Sequence, residues 1–324
     1  MSDTYLGYLL SSGALLLFTA SILITKVASS RLDLALGFLV ATSTNVVFSA
    51  LALLVQLQLR SDSLQWNVPA FLMFAAAGGF STYLGRWFFY ESVVRFGPAK
   101  ASIFQISSPL FTAMMAWLLL GERLTLIVAL GMVMTIAGLM LVSCKPDVFS
   151  RRSSAAAVAA DGEPAPVAIK LEKSPAMQRL MQSVLVLGMG SSLAYAIGNV
   201  LRGSAVRSWN EPVLGALIGA ACGLVLQLAF SAGKRGIVSR LRAASRGGVA
   251  LFATIGVTTI AAQMCAIGAM RYIPLSVATL VTLCTPILVF PLSHLLFKNQ
   301  DRITAITLAG SGLTLLGIAI IVMR

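Results

Sequence analysis

Gly121-Glu122-Arg123-Leu124-Thr125, followed by Gly131 and Gly138, returns as Gln300-Asp301-Arg302-Ile303-Thr304, followed by Gly310 and Gly317, at a constant offset of 179 residues. The match continues upstream with small slips. Arg95-Phe96-Gly97-Pro98 answers Arg271-Tyr272-Ile273-Pro274, and Pro109 answers Pro286. Residues 5–144 and 179–323 are therefore read as two copies of one unit, each made almost wholly of apolar segments. Duplicated membrane units of this kind can form a central path that opens alternately to either side, which points to transport.

Composition leaves little else. Apolar residues make up 58% of the 324-residue chain, charged residues 11%, and mean hydropathy is +0.89, outside the range of soluble domains. A membrane span needs roughly 17–25 mostly apolar residues. Such segments lie near Tyr5–Thr25, Leu32–Leu59, Ala70–Val94, Pro98–Leu120 and Leu124–Cys144, and again near Leu180–Leu201, Pro212–Ser231, Gly248–Met270, Pro274–Phe297 and Ile303–Met323. The expected fold is all-α, with ten spans in two five-helix repeats. Nothing basic precedes the first segment and no small-residue cleavage site closes it, so it reads as a retained span. The net charge of +13 would suggest nucleic acid in a soluble protein. Here the basic residues lie mostly between spans, where they set orientation, and no nucleic-acid binding is expected.

The apolar pattern stops between Lys145 and Gln178, which hold Arg151-Arg152, an Ala/Ser run, Pro164, Pro166 and Pro175. This stretch, 145–178, reads as a flexible linker. Five spans per unit is an odd number, so consecutive copies enter the membrane in opposite directions and form an inverted repeat. The loops after spans 1, 3, 5, 7 and 9 carry most of the basic residues, from Lys26 and Arg31 to Lys298 and Arg302. The opposite face is assigned Arg60, Arg123, Arg202, Arg207, Arg271 and Arg324. The positive-inside rule then makes the first set cytoplasmic and puts both termini outside.

These residues resemble the EamA-like carriers of the drug/metabolite transporter superfamily. The shared pattern runs Tyr90, Gly97-Pro98-Ala99, Pro109, Leu120-Gly121-Glu122-Arg123-Leu124-Thr125, Gly131 and Gly138, and its second copy is degenerate, with Asp301 and Gln300 for the acid and the glycine. The resemblance implies a multi-pass carrier of the bacterial inner membrane, more an exporter than an importer. It also implies cytoplasmic termini, against the charge argument. The small multidrug members carry an acid in their first span. The first span here has no acid at its centre, so their proton-coupled cation chemistry does not carry over.

Arg86 is the most informative single residue. It lies nine positions inside Arg95, roughly 13 Å along the helix at 1.5 Å per residue. A guanidinium at that depth costs at least ~2.5–3.5 kcal/mol on insertion scales, so it should face the bundle interior. It reads as a counter-charge for an anionic or zwitterionic, amino-acid-like substrate, or else as a structural ion pair. No acid stands at i−4, i−3, i+3 or i+4 from it. Tyr90, Gln105, Asn199 and Gln263 are the polar candidates expected around that substrate. The aromatics Tyr83, Trp87, Phe88 and Phe89 surround Arg86 in sequence. Glu91 is a candidate proton-coupling group, or simply a helical partner of Arg95 at i+4.

Gln105 and Ser108 before Pro109, and Thr282 and Thr285 before Pro286, are candidate cavity-lining positions, because proline frees a backbone carbonyl one turn back. Glu122 and Asp301 read as helix-start acids, and His294 as packing. The glycines at 131 and 138, at 310, 312 and 317, and the small residues Ala75–Gly79 suggest close helix contacts.

Cys144, Cys222, Cys265 and Cys284 read as small buried hydrophobes, since none has C-x-x-C spacing. No nucleotide loop, metal set or nucleophile elbow is present, so no cofactor, no metal and no enzyme activity are expected. The expected partners are a small-molecule substrate and the bilayer, and pairing as a homodimer stays open. The alternatives to a secondary-active metabolite carrier are a drug-efflux carrier and a non-transporting sensor or assembly scaffold on the same frame.

Overall fold

The computed structural model describes residues 3–60, 64–89, 108–121, 125–143, 184–230, 241–242, 244–282, 284–285, 288, 292 and 305–322. Among these there is no strand. In chain order the helices are α1 (Asp3–Ala28), α2 (Leu34–Leu59), α3 (Val68–Ala77), α4 (Ser108–Leu120), α5 (Leu126–Ser143), α6 (Val184–Ser208), α7 (Pro212–Phe230), α8 (Arg246–Tyr272), α9 (Leu275–Thr282) and α10 (Ala305–Val322). α3 runs on into a π-helical stretch, Gly78–Gly85. Five described helices are long and apolar enough to cross a membrane: Asp3–Thr25, Leu36–Leu59, Val68–Phe89, Pro212–Phe230 and Arg246–Tyr272. Phe111–Leu120 and Ala129–Gly138 are shorter apolar helices. Leu51, Leu54, Val55, Leu118, Leu119, Leu315 and Leu316 point outward, as side chains facing lipid must.

Local chemistry sets the ends of these helices. Asp33, Asn67 and Ser245 cap α2, α3 and α8, each accepting from a backbone N–H three residues on, at 3.4, 3.1 and 3.1 Å, which occupies donors a helix start leaves open. Pro212 opens α7, where the missing N–H costs nothing. Gly121, just past α4, has φ +65°, a conformation that glycine enters without a Cβ penalty. Hydroxyls inside the apolar helices mostly bond back to carbonyls one turn earlier, as Thr19 does to Leu15 (2.8 Å) and Thr279 to Leu275 (2.8 Å), so they can sit away from water.

The packing has two-fold form. α1 lies on α8 as α6 lies on α3, and α2 on α8 as α7 lies on α3. α2 pairs with α7, α4 with α9 and α5 with α10. Single residues obey the same relation. Phe74 of α3 is fully buried over Gly215 of α7, where a Cβ would fall 2.5 Å from the ring. Phe252 of α8 is fully buried over Gly37 of α2, again with ring carbons 2.5 Å from a Cβ. Phe74 and Phe252 are 178 residues apart, as are Gly37 and Gly215.

The α5–α10 crossing is reciprocal. A Cβ on Gly138 would meet Thr314 and stand 2.5 Å from the Gly310 carbonyl oxygen. A Cβ on Gly317 would meet Thr135 and stand 2.6 Å from that of Gly131. Thr135 and Thr314 donate back to the Gly131 and Gly310 carbonyls, at 2.7 and 2.8 Å. The small residues of the two motifs thus let the backbones touch. Gly312 departs from the sequence reading. Nothing lies within 4 Å of its would-be Cβ, because it faces away from the seam.

One end of the bundle is closed. There Arg60, just after α2, pairs with the buried Glu211 before α7, and Gln56 donates to the same carboxylate at 3.4 Å. Trp66, Trp209 and Phe74 stack in a tilted row, with centroids 5.8 and 6.4 Å apart. Asn67 donates to the Ser208 carbonyl (3.4 Å), and Arg271 to that of Arg207 (2.7 Å). At the other end Ser245 donates to the Arg31 carbonyl (3.0 Å). The α2/α3, α6/α7 and α8/α9 turns therefore share one face, and the α1/α2 turn and the start of α8 the other, as alternating spans require.

Candidate functional site

The site is built around the π-helical stretch after α3. Gly78 packs on Gly219 of α7, where a Cβ would be 2.7 Å from the Gly219 Cα, and Gly85 faces the ring of Tyr195 of α6, where a Cβ would be 3.1–3.2 Å from the ring carbons. Glycines at both ends of the wide turn let α6 and α7 approach it. The stretch lies in the interval where the repeat offset slips: Arg95 is 21 residues beyond Phe74, but Arg271 only 19 beyond Phe252. Such π segments occur often at functional positions.

Two guanidinium groups meet there. Arg86, the first residue after the π segment, reaches α2, where it donates from Nη1 to Thr42 Oγ1 at 3.2 Å and lies 5.9 Å from the centroid of the Phe38 ring. Arg202 of α6 is 5% exposed and donates from Nη2 to Ser81 Oγ at 2.6 Å. Its Nη1 and Nη2 also donate to the Gln263 side-chain oxygen of α8 at 2.8 and 3.2 Å. The amide is set this way because the other orientation would turn its N–H groups on the guanidinium.

The hydroxyl partners match in design. Thr42 spends its proton on the Phe38 carbonyl (2.8 Å) and Ser81 spends its own on Ala77 (2.7 Å), so each offers a lone pair to its arginine. Gly198 leaves room for Ser81, with a would-be Cβ 2.6 Å from that of the serine. The described carboxylates lie elsewhere: Asp3 starts α1, Asp33 caps α2 and Glu211 pairs with Arg60.

The site therefore unites two of the sequence candidates, Arg86 and Gln263. Asn199 stands on the same face of α6 as Tyr195 and Arg202, four residues from one and three from the other, and is half-buried. Tyr90, Glu91 and Gln105 lie outside the described residues. Ser108 and Thr112, one turn apart on α4, are buried hydroxyls without a partner among the described residues.

Arg202 corrects the sequence reading, which put it in a loop on the terminal face. α6 continues to Ser208, so Arg202 is six residues inside it, about 9 Å at 1.5 Å per residue. The signal was available: nothing between Leu201 and Asn210 breaks a helix, and the stop is Glu211-Pro212. Of the aromatics that surround Arg86 in sequence, Tyr83 stacks on Phe230 at 5.8 Å and Phe88 faces Gly190, where a Cβ would be 3.6 Å from its ring, whereas the ring over the Arg86 guanidinium is Phe38, from another helix.

A buried cation, Arg202, and a half-buried one, Arg86, served by neutral acceptors inside a two-fold bundle of apolar helices, give the bundle a polar centre. The EamA-like transporter family model matches residues 5–144 and 182–323. The chain belongs to that family, within the drug/metabolite transporter superfamily, and is a multi-pass membrane transporter. A solved structure described as "Crystal structure of protein" is similar over 98% of this chain and 95% of its own, with a TM-score of 0.64 at 18% identity, a likeness of fold alone. No curated protein matches the chain.

Proposed function

We propose that the protein is a secondary-active carrier of ten spans in the bacterial inner membrane, which exports a small anionic or zwitterionic metabolite by alternating access, with residues 145–178 as the linker between repeats. The observation that carries this reading is the Arg86–Arg202 pair, held by Thr42, Ser81 and Gln263. A guanidinium placed in apolar surroundings is costly unless something compensates it, and a substrate anion is that compensation. The bond from Arg202 to Gln263 and the place of Asn199 support their assignment to the site. Tyr90 and Gln105 complete it by their sequence positions, and Glu91 is assigned proton coupling.

Purified protein in liposomes is expected to move such a metabolite down or against an ion gradient without ATP. Arg86→Gln should lower that rate at least about tenfold and Arg86→Lys restore it only in part, because an ammonium cannot grip a carboxylate bidentately. Transport that needs ATP hydrolysis, or equal transport of cations by wild type and Arg86→Gln, would refute the reading. A protein that moves nothing and has no water-accessible centre would be the scaffold alternative.

Both termini are assigned to the outer face. Moving Arg202 into the membrane removes one positive charge from that face and sharpens the bias. A C-terminal fusion to a reporter active only outside the cytoplasm should be active, and a silent, correctly made fusion would reverse the orientation.

A further inference from the structure

Within the carrier reading, on which this rests, we propose that the site takes a small oxyanion with two negative charges, a dicarboxylate or a phosphate group, instead of a monoanion or an amino acid zwitterion. Two guanidinium groups approach along the same π-helical stretch, Arg202 at Ser81 and Arg86 five residues on. Five residues make about one turn of a π-helix, so both arginines act at one face of that stretch. Their recorded partners are two hydroxyls, one amide and one aromatic ring, all neutral. Of the described acids, Glu211 pairs with Arg60, Asp33 caps α2 and Asp3 starts α1, so none of these three is placed at this centre.

A ligand with one negative charge would leave a net positive charge in a water-poor interior, and a zwitterion would add a cation to two already there. Two charges of opposite sign balance the pair. The fork geometry of each guanidinium suits carboxylate and phosphate oxygens. Ser81 and Thr42 already commit their protons to helix carbonyls, so they orient the arginines and leave the outward N–H groups for the anion.

The test uses the full-length protein in neutral, lipid-free detergent at mildly alkaline pH, where phosphate is mostly dianionic. Thermal unfolding is followed with succinate, inorganic phosphate, butyrate, glycine or short-chain phosphatidic acid added. Succinate or phosphate is expected to raise Tm, with butyrate and glycine inert at equal ionic strength. Arg86→Gln and Arg202→Gln should each weaken the protection at least about tenfold, the loss expected when one charged partner of a desolvated contact is removed. Glycine or butyrate protecting as well as succinate would overturn the proposal. So would protection untouched in both variants, protection by phosphatidic acid alone, or succinate binding that appears only in Glu91→Gln. Vesicle transport of glycine or another zwitterion, with no dianion effect, would leave the carrier standing and remove only the dianion.

Discussion

Replacing Arg202 with Met is expected to cut transport about 100-fold while leaving the unliganded protein as stable as wild type. The first part follows from losing a desolvated charge partner of the substrate, worth roughly 2–5 kcal/mol. The second follows from two opposed terms. Replacing a buried ion pair by apolar residues of similar volume is often neutral or stabilising by about 1–4 kcal/mol, and removing a buried cation whose recorded partners are neutral relieves desolvation in the same direction. Against that, the Gln263 oxygen loses its donor, which costs roughly 1–3 kcal/mol for an orphaned buried acceptor. Ser81 keeps its bond to Ala77, so it adds little. The terms nearly cancel, and stability and activity separate. Rates from vesicles and thermal unfolding in detergent measure the two. If Arg202→Met unfolds the protein and Arg202→Lys restores it, the arginine serves architecture and the substrate role is lost.

The second large effect concerns the α5–α10 seam. Gly138→Val and Gly317→Val should each destabilise the protein by about 1–3 kcal/mol or more, the usual range for forced overpacking. The obstacles are backbone atoms: a Cβ at 138 or 317 falls 2.5 or 2.6 Å from a carbonyl oxygen of the opposing helix. Such atoms move only if the helices part. Gly312→Val, on the same helix with open space around it, should stay within about 0.5 kcal/mol of wild type. The double variant should cost less than the sum, because one separation of the helices relieves both clashes. Denaturant titration of the three single variants decides the matter. Equal losses at 312 and 317 would mean that valine harms α10 itself and not its contact.

Sequence carried the frame of the molecule well because the frame is periodic. The 179-residue offset marked glycines on both helices of the α5–α10 seam as close-contact positions, though not that they contact each other. It misread Gly312, because spacing alone does not tell which face of a helix meets a neighbour. The centre was less legible. Arg86 stood out by depth in an apolar run, whereas Arg202 hid beside Arg207 near a helix end and resembled an interfacial cation. Phe38, Thr42 and Ser81 gave no signal at all, because their value comes from the hydrogen bond or ring face presented across helices. The π-helical stretch falls where the offset slips, between Phe74 and Arg95, but a slip does not reveal which turn absorbs it.

In the α5–α10 crossing each glycine receives the threonine of the other motif, so patch and target are the same surface. That is the isologous geometry of a symmetric dimer, here enclosed in one polypeptide. Two separate half-length chains inserted head to tail would present the same complementary faces, and fusing them needs no new contact. Joining the halves supplies local concentration, and it then frees each copy to diverge. Among the described residues, the wide turn beside Arg86 and the unmatched Arg202 show the copies becoming unlike at the centre.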